Sequence, residues 1–292
     1  MIDLNVTYAS LNLKSPLIAE CVGTFPTAAV LRELTTAGAG AIMAPPLTST
    51  LLETEKSNAE ITDNNDSDPA RRGSRRLIRR LNMQEYLEEL HEMVERAEIP
   101  VIAPLHDLSG MEWRRMAARC RDTGAMAVEL RPGNPANFIA TRSQNIEGDI
   151  IRTTGGVTEQ LDFPVITRIE VTPYGMLPLV QALRETGARG VVLASTALPE
   201  SAPKASDLIV MNGVRQLYQA VTPYLSCVIS GSSSTDLTRV IHLGTTVAIL
   251  RIPEPRKRGS SAVVAPLLQE LQNDLTKRSA KTLRDVRGIA AL

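Results

Sequence analysis

The sequence predicts an α/β chain closed into a (β/α)8 (TIM) barrel with an N-terminal β-hairpin. In four places an amphipathic helix runs into a glycine and then into a short apolar strand: Leu31–Pro45, Met116–Leu130, Leu179–Ser195 and Leu237–Leu250. Each glycine (Gly38, Gly124, Gly187, Gly244) stands just past the helix, where a left-handed residue satisfies the last carbonyls. The strands that follow are apolar on both faces, as buried parallel strands are. Their spacing is too uneven for a stacked-repeat array. The rival architecture, a doubly wound open sheet, lacks its fingerprints: no GxGxxG follows the first strand and no GxxxxGK[ST] occurs.

Taken in order, Ile2, Leu4 and Val6 and then Leu11 and Leu13 alternate with polar residues, which predicts a hairpin over residues 1–14 turning near Ala9-Ser10 and capping the barrel floor. Eight strands are predicted: Pro16–Cys21, Ala41–Pro45, Pro100–Leu105, Ala127–Leu130, Pro164–Ile169, Gly190–Ser195, Cys227–Gly231 and Val247–Ile252. Between them, Gln84–Ala97 carries Tyr86, Leu87, Leu90, Met93 and Val94 on one face, the period of a core-facing helix. Ser109–Thr123, Tyr174–Thr186, Asn212–Val221 and Thr235–Leu243 are similar, and Ser261–Leu275 follows the last strand. The stretch 132–162 is long enough to contain one more helix. Residues 54–82 fall outside the pattern as a long lid or interface insertion, first acidic and then rich in arginine from Arg71 to Arg80.

With 292 residues and no Gly/Ser- or Pro-rich linker, the chain is expected to form one domain, 1–292. Lys and Arg total 32, as do Asp and Glu, a balance that argues against nucleic acid or a membrane surface as partner. The three cysteines are odd in number, far apart and form no CxxC pair, so no metal site is expected and a reducing, cytoplasmic setting is. The first residues lack signal-peptide character, and no apolar run reaches the length of a membrane span. With 3% aromatic residues, the core must be aliphatic.

Barrels of this kind carry their chemistry at the carboxyl ends of the strands. Here those positions offer Glu20 and Cys21, His106 and Asp107, Arg131, Arg168 and Glu170, Ser195 and Thr196, Gly231 and Ser232, and Arg251 with Ile252. Arg131, Arg168 and Arg251 converging on one mouth would bind a small anion, since a guanidinium grips carboxylate or phosphate in bidentate fashion. The alternative is that Glu20, Glu129 or Glu170 neutralises Arg168 and Arg251 in an ion-pair network. Ser230–Thr235, at a helix N-terminus after the seventh strand, offers free N–H groups for a phosphate, or else simply caps that helix. His106 beside Asp107 has the makings of an acid/base pair or of a structural hydrogen bond. Cys21 has no partner base in sequence and reads as a buried thiol.

The segments TYASLNLKSPLIAE, LRELTTAGAGAIMAP, residues 82–130, FPVITRI, LVQALRETGARGVVL and ISGSSSTDLTRVIHLG, in this order, resemble the dihydroorotate dehydrogenase-like family of FMN-dependent TIM-barrel oxidoreductases. The resemblance implies an FMN whose phosphate lies on the loops after strands seven and eight. Its ring would be lined by the first-strand loop and the ends of strands four to six. Carried onto this chain, the cofactor-binding positions are Glu20, Cys21, Arg168, Ser195, Gly231, Ser232, Arg251 and Ile252. The catalytic positions are Arg168, Arg131 and His106. The sequence departs from the family pattern at several of them. Arg131 stands where the family has Asn and Arg168 where it has Lys, Gly231-Ser232 replaces Gly-Gly, and Glu20-Cys21 replaces small residues. The resemblance also implies a homodimer or a hetero-oligomer with a homologue. Three functions follow as expectations: an FMN oxidoreductase acting on a small anionic substrate, a flavin-free pseudoenzyme serving as a structural or regulatory subunit, or a non-flavin barrel enzyme binding a phosphorylated metabolite.

Overall fold

The computed structural model describes residues 2–49, 82–132, 143–171, 176–195, 203–221 and 224–291. All but the last residue of the 54–82 insertion lies outside them, as does Thr196. The chain opens with a hairpin of β1 (Val6–Tyr8) and β2 (Leu11–Leu13), paired antiparallel with Tyr8 opposite Leu11. Ala9 and Ser10 take φ of 49° and 64°, the left-handed pair that matches the twist of a two-residue hairpin turn.

The barrel wall is β3 (Leu17–Cys21), β4 (Ala41–Met43), β6 (Val101–His106), β7 (Ala127–Arg131), β8 (Val165–Glu170), β9 (Gly190–Ala194), β10 (Leu225–Ile229) and β11 (Val247–Ile252). Each is parallel to the next, and β11 pairs back onto β3, which closes the ring. A two-residue strand that the sequence did not announce, β5 (Leu47–Thr48), extends the rim beside β6. Helices α1 (Ala28–Thr36), α2 (Met83–Arg96), α3 (Glu112–Asp122), α4 (Ser143–Thr158), α5 (Met176–Glu185), α6 (Pro203–Val221), α7 (Asp236–Leu243) and α8 (Val264–Lys277) alternate with the wall strands. Several boundaries shift by one to three residues from the sequence expectation, and one strand and one helix shift in ways that bear on the site. The seventh wall strand begins at Leu225 and ends at Ile229, because Ser226 is fully buried inside it and Gly231 has φ +68°, outside strand geometry. Helix α6 starts nine residues before Asn212, at Pro203.

The glycines placed at the helix ends, Gly38, Gly124, Gly187 and Gly244, all have positive φ (95°, 93°, 91° and 117°). Between helices and wall the core is aliphatic, as the composition requires. Its few rings include Phe25 and Tyr86, packed edge-to-face at 5.2 Å with the Tyr86 hydroxyl donating to the Pro45 carbonyl.

The floor is set by Tyr8. Its side chain is buried, and its hydroxyl pairs with the Ser226 hydroxyl at 2.7 Å while Ser226 donates to the Val191 carbonyl. Gly190 makes room for it: a Cβ there would lie 2.6 Å from the Tyr8 oxygen and 2.8 Å from the ring. Gly190→Ala should therefore destabilise the fold by about 1–3 kcal/mol through overpacking, measured by urea unfolding. Combined with Tyr8→Ala, the loss from Gly190→Ala should largely disappear; additive losses would mean that the two residues do not share the space.

Candidate functional site

Three of the wall strands direct four charged side chains into the lumen. Glu20 comes from β3, Glu129 and Arg131 from β7, and Arg168 from β8. On β7, Glu129 and Arg131 are two residues apart and so share a face. Around the wall, β3 lies three strands from β7 in one direction and four from β8 in the other, so the side chains meet across the barrel.

They form a closed ring of ion pairs. Glu20 Oε1 accepts from Arg131 Nη2 at 2.8 Å, and Arg131 Nε donates to Glu129 Oε2 at 2.7 Å. Glu129 Oε1 accepts from Arg168 Nε at 2.7 Å, and Arg168 Nη2 donates to Glu20 Oε2 at 3.1 Å. Each carboxylate bridges both guanidiniums, and the charges cancel. The Met43 sulfur packs beside both, 3.4 Å from Arg131 Nη2 and 3.6 Å from Arg168 Nη2. Glu129 is fully buried, Glu20 and Arg168 nearly so. The side chain of Arg251 is 42% exposed and sets its Nε 3.9 Å from Glu20 Oε2, which adds a cation at the outer edge.

Burial acts against ionisation of Glu20, but Arg168, Arg131 and Arg251 outweigh it and hold the carboxyl down at about 2. Burial likewise opposes the Arg168 charge, and Glu129 and Glu20 overcome it, so its guanidinium stays protonated. His106, aligned with Arg131 across β6 and β7, has its basicity lowered by burial and then by Arg131, which favours the neutral ring. Cys21 is fully buried, and burial followed by the Glu20 charge pushes its thiol up to about 12, so it is no nucleophile at neutral pH.

The remaining predicted positions sit on the rim. Ser195 follows β9 and is half-buried, Ile252 is buried at the end of β11, and Gly231 and Ser232 follow β10. In that loop the chain's own side chains take up the N–H groups. Ser230 N donates to Asp207 Oδ1 at 3.0 Å, Ser232 N to Ser230 Oγ at 3.2 Å, and Ser233 N to Asp236 Oδ2 at 2.9 Å. Asp207 and Asp236 are both buried. Gly231 is required there, since a Cβ would meet Leu250 Cδ1 at 2.5 Å.

An FMN placed as the family resemblance implies would need this same space. Its ring would compete with the ion-pair ring, and its phosphate would meet two carboxylates that already use the loop's donors. In this arrangement the described residues do not fit a flavin. Among the described residues no His/Cys/Asp/Glu group suited to a metal occurs, and no helix is long and apolar enough to cross a membrane.

Three arginines do meet at the mouth, but joined to Glu20 and Glu129 in a network that the alternative reading of the sequence gave for Arg168 and Arg251 and that also takes in Arg131. Tyr8, Met43, Asp207 and Asp236 had no place in that reading. A glutamate inside the apolar run AVEL was the one local signal that β7 faces something charged; Asp207, in a helix that sequence reasoning began later, gave none.

No family model and no curated protein matches the sequence. Solved structures do. A mandelate oxidase variant with benzaldehyde aligns over 98% of this chain and 81% of its own, with a TM-score of 0.61 and 12% identity. The chain has the (β/α)8 barrel fold. Because 1050 solved chains match it, the likeness speaks for the scaffold and not for one chemistry. Nothing in it is specific to dihydroorotate dehydrogenases.

Removing one partner of the ring should be costly. Glu20→Gln is expected to lose about 3–5 kcal/mol at neutral pH, because the buried Arg168 and the partly buried Arg131 keep their charge and lose a counter-ion. Glu20 is depressed in the folded state, so its contribution is present above its ordinary value of 4.5 and lost as pH falls toward about 2. Urea unfolding of the wild type should thus weaken over that window, and Glu20→Gln should be flatter there; parallel curves would contradict the assigned pairing.

Proposed function

We propose that this chain is a flavin-free barrel that keeps the scaffold of the FMN-dependent oxidoreductases and acts as a non-redox structural or regulatory subunit, paired with a second copy or with a homologue. The ion-pair ring across the lumen carries this reading. Four side chains from opposite walls meet where a ring system would lie, and the lumen of an eight-stranded barrel is only just wide enough for side chains to fill. The carboxylates of Asp207 and Asp236 support it independently, because an anion brought to Ser230–Ser233 would be repelled and would find few free donors. The same two groups weigh against a phosphorylated metabolite at this loop.

The competing reading, an FMN oxidoreductase acting on a small anionic substrate, draws on the sequence segments that resemble the dihydroorotate dehydrogenase-like family and on the exposed edge of Arg251. It would assign Arg168 to the electron-rich edge of the flavin and Arg131 to a substrate carboxylate. It requires Glu20 to leave both arginines.

A visible spectrum separates the two. Purified protein is expected to be colourless at about 450 nm, and titration with FMN should give no saturable heat or fluorescence quenching. Yellow protein, or stoichiometric uptake of added FMN, would overturn the flavin-free reading.

A further inference from the structure

Glu20, a residue of the wall strand β3 paired with Arg251 of β11, reaches across the lumen to its other two arginines. Glu129 shares a strand with Arg131 and neighbours the strand of Arg168, so its pairing needs no reach. Glu20 comes from the far side of the ring and sends its two oxygens to two different guanidiniums, at 2.8 Å and 3.1 Å, with Arg251 a further 3.9 Å away. Without it, Arg131 and Arg168 would keep Glu129 as their shared carboxylate among the described residues, and Arg251 would lose the Glu20 carboxylate. That leaves an excess of positive charge in a site where Arg168 and Glu129 are buried, and the donors aimed at Glu20 would lose their acceptor.

We propose that Arg131, Arg168 and Arg251 form a receptor for a small aliphatic carboxylate, and that the Glu20 side chain is its tethered occupant. The chemistry selects the ligand class. A planar carboxylate can accept from two guanidiniums at once, and the atoms that distinguish glutamate from alanine, a methylene and a carboxylate, are those of acetate less one hydrogen. Acetate therefore matches the vacated charge and volume in a Glu20→Ala protein. Propionate carries one methylene too many for a packed lumen, and chloride matches only the charge. The outer edge is within reach of solvent, since the side chains of Arg131 and Arg251 are 13% and 42% exposed. In the wild type the tether gives the internal carboxylate a high effective concentration, so a free one does not displace it.

This inference rests on the same ion-pair ring as the flavin-free reading, but its test reads a different property. Melting temperatures of the wild type, Glu20→Ala and Glu20→Gln are compared in sodium acetate, propionate and chloride at equal ionic strength. At about 200 mM acetate, Glu20→Ala should gain roughly 3–8 °C over chloride, with a smaller gain in propionate. Wild type and Glu20→Gln, whose lumen stays filled, should show no acetate-specific gain. Adding Arg131→Gln to Glu20→Ala should abolish the response. If Glu20→Ala is insoluble, it is refolded from urea, and a yield several-fold higher in acetate than in chloride is expected. Equal behaviour of Glu20→Ala in acetate and chloride, by melting or by refolding, would overturn the receptor while leaving the colour of the wild-type protein to decide the flavin question.

Discussion

The centre of this barrel depends on one constraint: four largely buried charged side chains share the lumen and must neutralise one another there. An isolated carboxylate or guanidinium would be prohibitively costly in such surroundings. A pair is tolerable only with good geometry and with its remaining oxygens and protons occupied. The ring meets both conditions, because Glu20 and Glu129 each use both oxygens and each arginine reaches both carboxylates. Such a ring adds little stability beyond what apolar side chains of equal volume would give. Its consequence is occupancy. At this level the lumen holds a neutral plug of four side chains.

The rest of the interior is arranged around that plug. From below, the N-terminal hairpin inserts Tyr8 beside Gly190 and Ser226, close enough to the ring for Glu129 and Arg168 to act on its phenol, although burial is the larger cause of its raised pKa. From the rim, Asp207 of α6 and Asp236 of α7 close the loop after β10 by taking its backbone donors. A loop of small residues at a helix N-terminus ordinarily invites an anion. Here the anions are supplied from within. Lumen and loop thus share one logic, in which the chain's own carboxylates take up the donors.

That logic separates scaffold from chemistry. The likeness to an oxidase barrel extends over nearly the whole chain at 12% identity, so wall, helices and topology survive almost complete replacement of the side chains. Backbone packing needs only apolar residues at the right period, whereas a site needs particular groups at particular distances.

Much of this was legible in the sequence because it is local. The apolar runs, the helix-ending glycines and the Ala9-Ser10 turn are short-range features, and each appears within a few residues of its expected place. The seventh strand was displaced because Ser226 looks polar in sequence and is satisfied only by Tyr8, 218 residues away. The carboxyl-end arginines were visible too, since strand register alone puts Arg131 and Arg168 at the mouth. Whether they would meet a guest or a glutamate was not visible. Glu20 and Arg168 are 148 residues apart, and only closure of the wall brings β3 opposite β7 and β8. Periodicity and turn chemistry determined the barrel; the choice between receptor and plug belonged to the tertiary structure, because Coulomb interaction in a low-dielectric lumen depends on ångström distances that no local pattern encodes.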